Sequence, residues 1–376
     1  MYRIGKFLHE AYKDFLDNQT EPIEKYIYVR SSGSKRCLES TQMLTTALLF
    51  GENENQSFLK FDNNLTDYDY LSQYWHPIPI HSISPKGSDS MLDSITPCPN
   101  ADLVVSEMSH KNENMKRIVE ENFDFLEEIS RYTGNKIDSL KSVYDLYQEL
   151  FIESQYDYHW WKEPYSIWTS DYETYALSKL RELSRIYWSI QWNNKELQTL
   201  RTGLLIKQLN DNIQNQIDKK NRDKKIFIYS THDTKIALLL HSMGIFNGFL
   251  IPAGATILFE LHQDKSGSLD PIDDWFLRFY YFNETYTSDW AYQMVSDKIC
   301  VHHQSQWSCP ANYFMRQMEK LEPFDWKYQC GLLIQPFSFF AINLFILTTN
   351  FACLLGLFIL LRLYSSKVRN RIPSHN

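Results

Sequence analysis

Three residues stand where two strand-like runs give way to helix-like ones. Arg30 closes the β-branched and aromatic run at 25–29 (KYIYV). His232 and Asp233 follow a second run at 226–229 (IFIY) and precede a helical pattern at 235–243 that stops at Gly244. In α/β sheets, ligands collect beyond the carboxyl ends of strands, at helix N-termini. An Arg, a His and an Asp at two such ends suit an oxyanion with a proton to deliver. A guanidinium grips anionic oxygens bidentately, and an imidazole adds a hydrogen bond to the same group. A carboxyl whose pKa is raised by burial or by the bound anion can protonate a leaving oxygen. A His-Asp pair after a strand also serves as an ordinary helix cap. The chemical reading therefore requires Arg30 and His232 to point into one pocket, flanked by Asp233.

The surrounding pattern must supply the scaffold. Residues 4–16 place Ile4, Phe7, Leu8, Ala11, Tyr12 and Phe15 at helical spacing, and 38–50 resumes it. An Asn- and Asp-rich loop runs to about Tyr70, and 75–84 (WHPIPIHSIS) is too Pro-interrupted for a central strand. Residues 112–218 read as helices at 112–132, 139–151, 171–191 and 196–217. The charged run 219–225 reads as a solvated loop, and 255–261 and 276–282 as further strands. Strands and helices interrupted by a helical stretch predict an α/β sheet with a helical cap. The boundaries follow as core 1–111, cap 112–218, core 219–331, membrane segment 332–361 and tail 362–376.

The bulk numbers narrow the classes. A net charge of -8 argues against a nucleic-acid partner, which would call for a basic face. None of the six cysteines forms a CxxC pair, so zinc-ribbon and thioredoxin readings have no support, and no metal or cofactor is expected. Cys98, Cys300, Cys309 and Cys330 sit in polar, turn-rich contexts where disulfides suit an extracytoplasmic domain. Asn18, Asn55, Asn64 and Asn283 begin N-x-S/T sequons, which point the same way as glycosylation sites.

Residues 337–361 (FSFFAINLFILTTNFACLLGLFILL) carry no charge and are long enough to span a bilayer. Arg362, Lys367, Arg369 and Arg371 follow, so the positive-inside rule puts the tail in the cytoplasm and the large N-terminal part in the lumen or outside. Residues 1–6 (MYRIGK) lead into an amphipathic stretch without the apolar core of a signal peptide. Either the chain is a tail-anchored cytosolic protein or its start lies upstream.

Ordered motifs then carry a resemblance. YIYVRSSGSKRCLESTQMLTTALL at 26–49, WHPIPIH at 75–81 and IYSTHDT at 228–234 are similar to segments of the branch-two histidine phosphatases, specifically the acid phosphatases. The flanks Phe246-Asn247-Gly248 and Phe259-Glu260-Leu261 continue the likeness, which runs from about residue 4 to 330. The resemblance implies a phosphoglycerate-mutase-like, mainly parallel sheet flanked by helices with a helical cap. It implies that Arg30 and His232 bind phosphate, that Asp233 protonates the leaving group, and that substrates are small phosphomonoesters or phosphoproteins. It also implies bridges Cys98–Cys330 and Cys300–Cys309, a lost third bridge at Ile152 and Ile257, a free Cys37 near the site, and a homodimer as an open option. Lysosome and cell surface both remain open.

The family's nucleophile sits in an Arg-His-Gly-x-Arg motif at the end of a first strand inside the sheet. No Arg-His-Gly occurs in the 376 residues. His9 and His110 follow no strand and are poor replacements. Loss of a central strand would leave a gap with two raw edges. An incomplete N-terminus is therefore the expectation, with a membrane-anchored, phosphate-binding pseudo-phosphatase as the alternative.

Overall fold

Strand β1 (Ile27–Ser31) is the centre of the site-bearing sheet. Its alternation sets its two faces: Ile27, Val29 and Ser31 are buried, while Tyr28 and Arg30 are half-buried on the other side. β2 (Ile80–Ser82) and β3 (Ile226–Ser230) pair with it in parallel, in the order β2-β1-β3. The register sets Arg30 beside His81 and Tyr229, and Ser31 beside Ser230. Among the described residues β2 pairs with β1 alone, an edge position that suits a strand directly preceded by Pro79. The chains leaving β1 and β3 emerge at the same end, which brings residues 32–36 and 231–233 together. The computed structural model describes residues 1–50, 78–83, 89–93, 96–156, 159, 169–220, 223–264, 271–283, 292–300, 308–333 and 336–369.

The first unit, Met1–Phe324, carries this sheet. Its helices, in chain order, begin with α1 (Tyr2–Ala11), α2 (Lys13–Asp17), α3 (Ile23–Tyr26) and α4 (Lys35–Phe50). The single helix predicted at 4–16 is thus broken at Tyr12. α1 lies flat on α4 because Gly5 has no side chain; a Cβ there would collide with the Leu44 carbonyl and the Ala47 side chain. Between β2 and β3 come α5 (Pro99–Lys111), α6 (Glu113–Glu121), α7 (Phe123–Thr133), α8 (Leu140–Gln155), α9 (Ser170–Gln191) and α10 (Lys195–Ile217). α5 was not expected, although Pro99 at its first position is a start signal. α11 (Asp233–Ser242) follows β3 and ends before Gly244, whose φ of 71° only glycine adopts freely. Ile129, Val143, Leu180, Trp188 and Leu240 join one core with Phe279 and Leu277 of a second sheet.

That second sheet is antiparallel: β4 (Thr256–Gln263), β5 (Trp275–Phe282) and β6 (Tyr292–Met294) in order, with β7 (Cys309–Pro310) also on β5. The 11 residues between β4 and β5 fall short of the dozen or more that a parallel crossover needs. The parallel sheet thus holds for the strands that carry the site, not for 255–282. α12 (Ser296–Ile299) and α13 (Ala311–Glu319) complete this unit.

The second unit, Asp325–Asn376, opens with α14 (Trp326–Gln329), capped by the Asp325 carboxylate accepting from the Tyr328 amide at 3.1 Å. α15 (Pro336–Arg369) contains an 18-residue stretch, Ile346–Leu363, of mean hydropathy 2.0 with no part buried. It is long and apolar enough to cross a membrane.

Candidate active site

The site is built where β1 and β3 end and α4 and α11 begin. His232 is the N-cap residue of α11, in extended backbone (φ -107°, ψ 158°), and its side chain does not cap the helix. The imidazole is thereby free to reach across to the β1 side. Arg36, in the first turn of α4, donates from Nη2 to His232 Nδ1 at 3.0 Å. A guanidinium has only donors, so Nδ1 must accept and Nε2 must carry the imidazole proton. Nε2–H then points at Ser32 Oγ, 3.0 Å away. Ser32 in turn donates to Asp93 Oδ1 at 2.5 Å and accepts from the Ser34 amide at 3.3 Å. Burial lowers the pKa of His232, and the neighbouring Arg36 charge lowers it further, with Asp93 opposing both.

This Ser-His-Asp grouping is not a nucleophilic triad. In such a triad the carboxylate holds Nδ1 and the serine proton moves to Nε2. Here the carboxylate takes the serine proton and Arg36 occupies Nδ1. Ser32 is fully buried, with its proton and both lone pairs engaged. Its role is to hold His232 in one tautomer.

Arg30 lies at the end of β1 as the sequence implied, but its guanidinium is taken. It bonds Asp89 through Nη2 at 2.9 and 2.8 Å and through Nε at 3.2 Å. Asp89 is almost fully buried and also accepts from the Met91 amide at 2.9 Å. Arg30 does not line the cavity that His232 faces; Arg36 does. Sequence reasoning missed Arg36, Ser32, Asp89 and Asp93. The only available signal for Arg36 was its place one residue into a helix that follows a strand.

Asp233 opens α11 and lines the same cavity. Its Oδ1 accepts from the Thr234 amide at 2.7 Å and the Thr234 hydroxyl at 3.3 Å, which leaves Oδ2 for another partner. Behind the site, Lys235 is 1% exposed and donates to the carbonyls of Ser90 and Arg201. Burial, helped by Arg201, brings its pKa down to about 7 against the pull of Asp89 and Asp93. Lys235 thus ties the 89–93 turn to α10. The Cys37 thiol is free and buried, donating to the Thr231 carbonyl at 3.4 Å beside the site.

Arg36, His232 and Asp233 stand at one end of a cavity of about 1770 Å³ between β3 and β4. Ile152 and Ile257 both line it, as does half-buried Asn283. Asn18 is exposed at the end of α2 and bonds the Asp14 carbonyl at 2.6 Å. Asn55, Asn64 and residues 75–77 lie outside the described residues. Cys300 and Cys309 form a disulfide, and Cys98 and Cys330 are also in disulfide form. His9 is held by the Leu48 carbonyl at 2.9 Å, a structural contact of α1.

Residues 1–281 match the family model described as the histidine phosphatase superfamily, branch 2. The chain belongs to this family. It is similar to the lysosomal acid phosphatases of Bos taurus (27% identical over 336 residues) and Homo sapiens (27% over 340), in each case over 89% of this chain and 71% of the relative. It is also similar to the prostatic acid phosphatase of Rattus norvegicus, 25% identical over 88% of this chain and 77% of that one. Among solved structures, a Hafnia alvei phytase in complex with tartrate aligns with a TM-score of 0.54 at 12% identity, covering 88% of this chain and 86% of the phytase. A Klebsiella phytase aligns with a TM-score of 0.52 at 13% identity, covering 85% and 83%. These structures share the histidine phosphatase fold with this chain.

Proposed function

We propose that this histidine phosphatase hydrolyses phosphate monoesters at the Arg36–His232–Asp233 end of the cavity. The observation that carries the reading is the Arg36–His232 pair at 3.0 Å, one residue from a carboxyl that keeps an oxygen free. Arg36 replaces Arg30 in the role the resemblance implied, because Arg30 is neutralised by Asp89. A phosphate entering here draws Arg36 off Nδ1 and takes its guanidinium donors, while the N-termini of α4 and α11 favour negative charge. The Asp233 carboxyl, beside the bound ester, gives its proton to the leaving alkoxide as the P–O ester bond breaks. In the family's reaction the phosphoryl group passes to an imidazole nitrogen and then to water. The family carries that imidazole in an Arg-His-Gly motif, which these 376 residues do not contain.

The second reading, phosphate binding without turnover, is favoured by one observation: the sequence holds no Arg-His-Gly. A third element of the proposal is placement. The apolar helix with Arg362, Lys367 and Arg369 after it, and the oxidised cysteines, support a single-pass anchor with the phosphatase unit outside the cytoplasm.

The test is calorimetry of inorganic phosphate with the detergent-solubilised full chain near pH 5.5, with 4-nitrophenyl phosphate turnover on the same sample. Saturable binding lost in Arg36→Ala supports the site. Binding that survives Arg36→Ala and His232→Ala removes it. Turnover decides between the two readings.

A further inference from the structure

α15 holds a polar group where a membrane has nothing to offer it. The uncharged run 337–361 centres on residue 349, and Asn350 stands one residue beyond. At about 1.5 Å per residue, that sets Asn350 close to the middle of a hydrocarbon core of about 30 Å. Its neighbour Thr349 satisfies its own hydroxyl, which donates to the Ile346 carbonyl at 3.0 Å. Asn350 is exposed and bonds to no described residue. A primary amide has two donors and an acceptor, and lipid tails answer neither kind. In water that exposure costs nothing. Inside a bilayer every unmet polar group is costly, so side chains of this kind face another protein surface.

The amide also recurs. Asn343 precedes Asn350 by seven residues in the same helix. Seven residues is the period at which a helical stripe returns to its partner in a left-handed pair. With Asn343, Asn350 and Leu357 at one contact position of that repeat, the other falls on Ile346, Cys353 and Leu360. Ile346, Cys353, Leu357 and Leu360 are all exposed, and no part of Ile346–Leu363 is buried by the described residues. Apolar packing alone does not choose a partner here, because lipid tails are as apolar as leucine. The amide does choose. It is self-complementary, since across a two-fold axis each N–H donates to the other copy's carbonyl oxygen. An Asn at one contact position also specifies the register and the number of helices.

We infer that α15 pairs in the membrane with α15 of a second copy of this chain, through hydrogen bonds between their Asn350 amides. Single-pass copies share one orientation, so the two helices run parallel. The inference rests on the membrane placement proposed above and is independent of the phosphate chemistry.

The experiment uses the full chain reconstituted into phosphatidylcholine vesicles. Flotation with the lipid at pH 11 reads insertion first. Iodine oxidation then reads pairing through the native Cys353 thiol, one turn from Asn350, as a covalent dimer on a non-reducing gel. Increasing the lipid-to-protein ratio gives the density at half-pairing. Asn350→Leu should need roughly tenfold higher density than the native chain, and Asn350→Gln should not. In a Cys353→Ser background, Leu357→Cys should cross-link and Leu355→Cys, on the other side of the helix, should not. A chain that does not float overturns the membrane anchor and the pairing together. An inserted chain that never cross-links overturns the pairing and leaves the anchor standing. So does equal pairing by the native chain and Asn350→Leu, which places the contact between copies elsewhere. Equal cross-linking by Leu355→Cys and Leu357→Cys, which marks random collision, overturns it as well.

Discussion

Arg36 and His232 meet through a 3.0 Å hydrogen bond across 196 residues of sequence, while Arg30, on the strand beside them, is spent on Asp89. The two arginines should therefore fail differently. Arg36→Ala removes a charge-assisted donor worth about 1.5–3 kcal/mol, so phosphate affinity falls roughly tenfold to a hundredfold with little change in unfolding midpoint. Arg30→Ala instead strands a carboxylate that is 1% exposed, which costs about 3–5 kcal/mol of stability. Denaturant unfolding of the two variants beside phosphate titration separates the roles. An Arg30 variant with native stability and lost binding would return the phosphate role to Arg30.

Phosphate binding should take up a proton. His232 in the free protein has its pKa lowered by burial and by Arg36, so it is more often neutral than a free imidazole at the same pH. A phosphate dianion that draws Arg36 away and sets negative charge beside the ring raises that pKa. The ring then holds more proton in the complex than in the free protein, and this contribution favours binding as the pH falls. Calorimetry at pH 6.5 in two buffers of different ionisation enthalpy reads the uptake directly. Phosphate's own ionisation is common to both proteins, so the uptake should be larger in the native protein than in His232→Asn, and equal uptake would place the proton elsewhere.

Much of this site was legible in the sequence. Two β-branched runs followed by polar residues and a helical period located the ends of β1 and β3, and His232 with Asp233 lies where that pattern puts it. The choice between Arg30 and Arg36 was not legible. Arg30 lies at the end of the strand and Arg36 just after it, and what separates them is a buried carboxylate 59 residues from Arg30. Which guanidinium that carboxylate captures is decided by strand pleat: Arg30 projects with Tyr28 and away from Ser31. The antiparallel pairing of β4 and β5 was hidden for a similar reason. Their apolar runs suit either direction, and the short connection between them settles it.

Acid should weaken this fold through His241. Its ring stacks on Phe246 at 4.1 Å, its Nε2 is buried without a partner, and burial brings its pKa down to about 4. The unfolded chain binds this proton near pH 6.5 and the folded chain only near 4. Stability is thus fully present above 6.5 and is lost as pH falls toward 4. His241→Phe keeps the stack and removes the titration. Its urea midpoint should therefore drop less than the native one between pH 7 and 4.5, and an equal drop would place the acid-sensitive group elsewhere.

Lys235 should act at the other end of the scale. Its folded pKa of about 7 lies far below the unfolded value near 10.5, because burial outweighs the attraction of Asp89 and Asp93. Between those values the unfolded chain binds a proton that the folded chain does not, so stability rises with pH across that window. Lys235→Met carries no such proton. It also loses the donor that ties the Ser90 and Arg201 carbonyls together, so its own stability is lower wherever that tie matters. The native-minus-variant difference in unfolding free energy should grow from pH 7 to pH 10. A difference that stays flat would mean that the ammonium remains charged in the fold, and that Asp89 and Asp93 hold it as an ion pair.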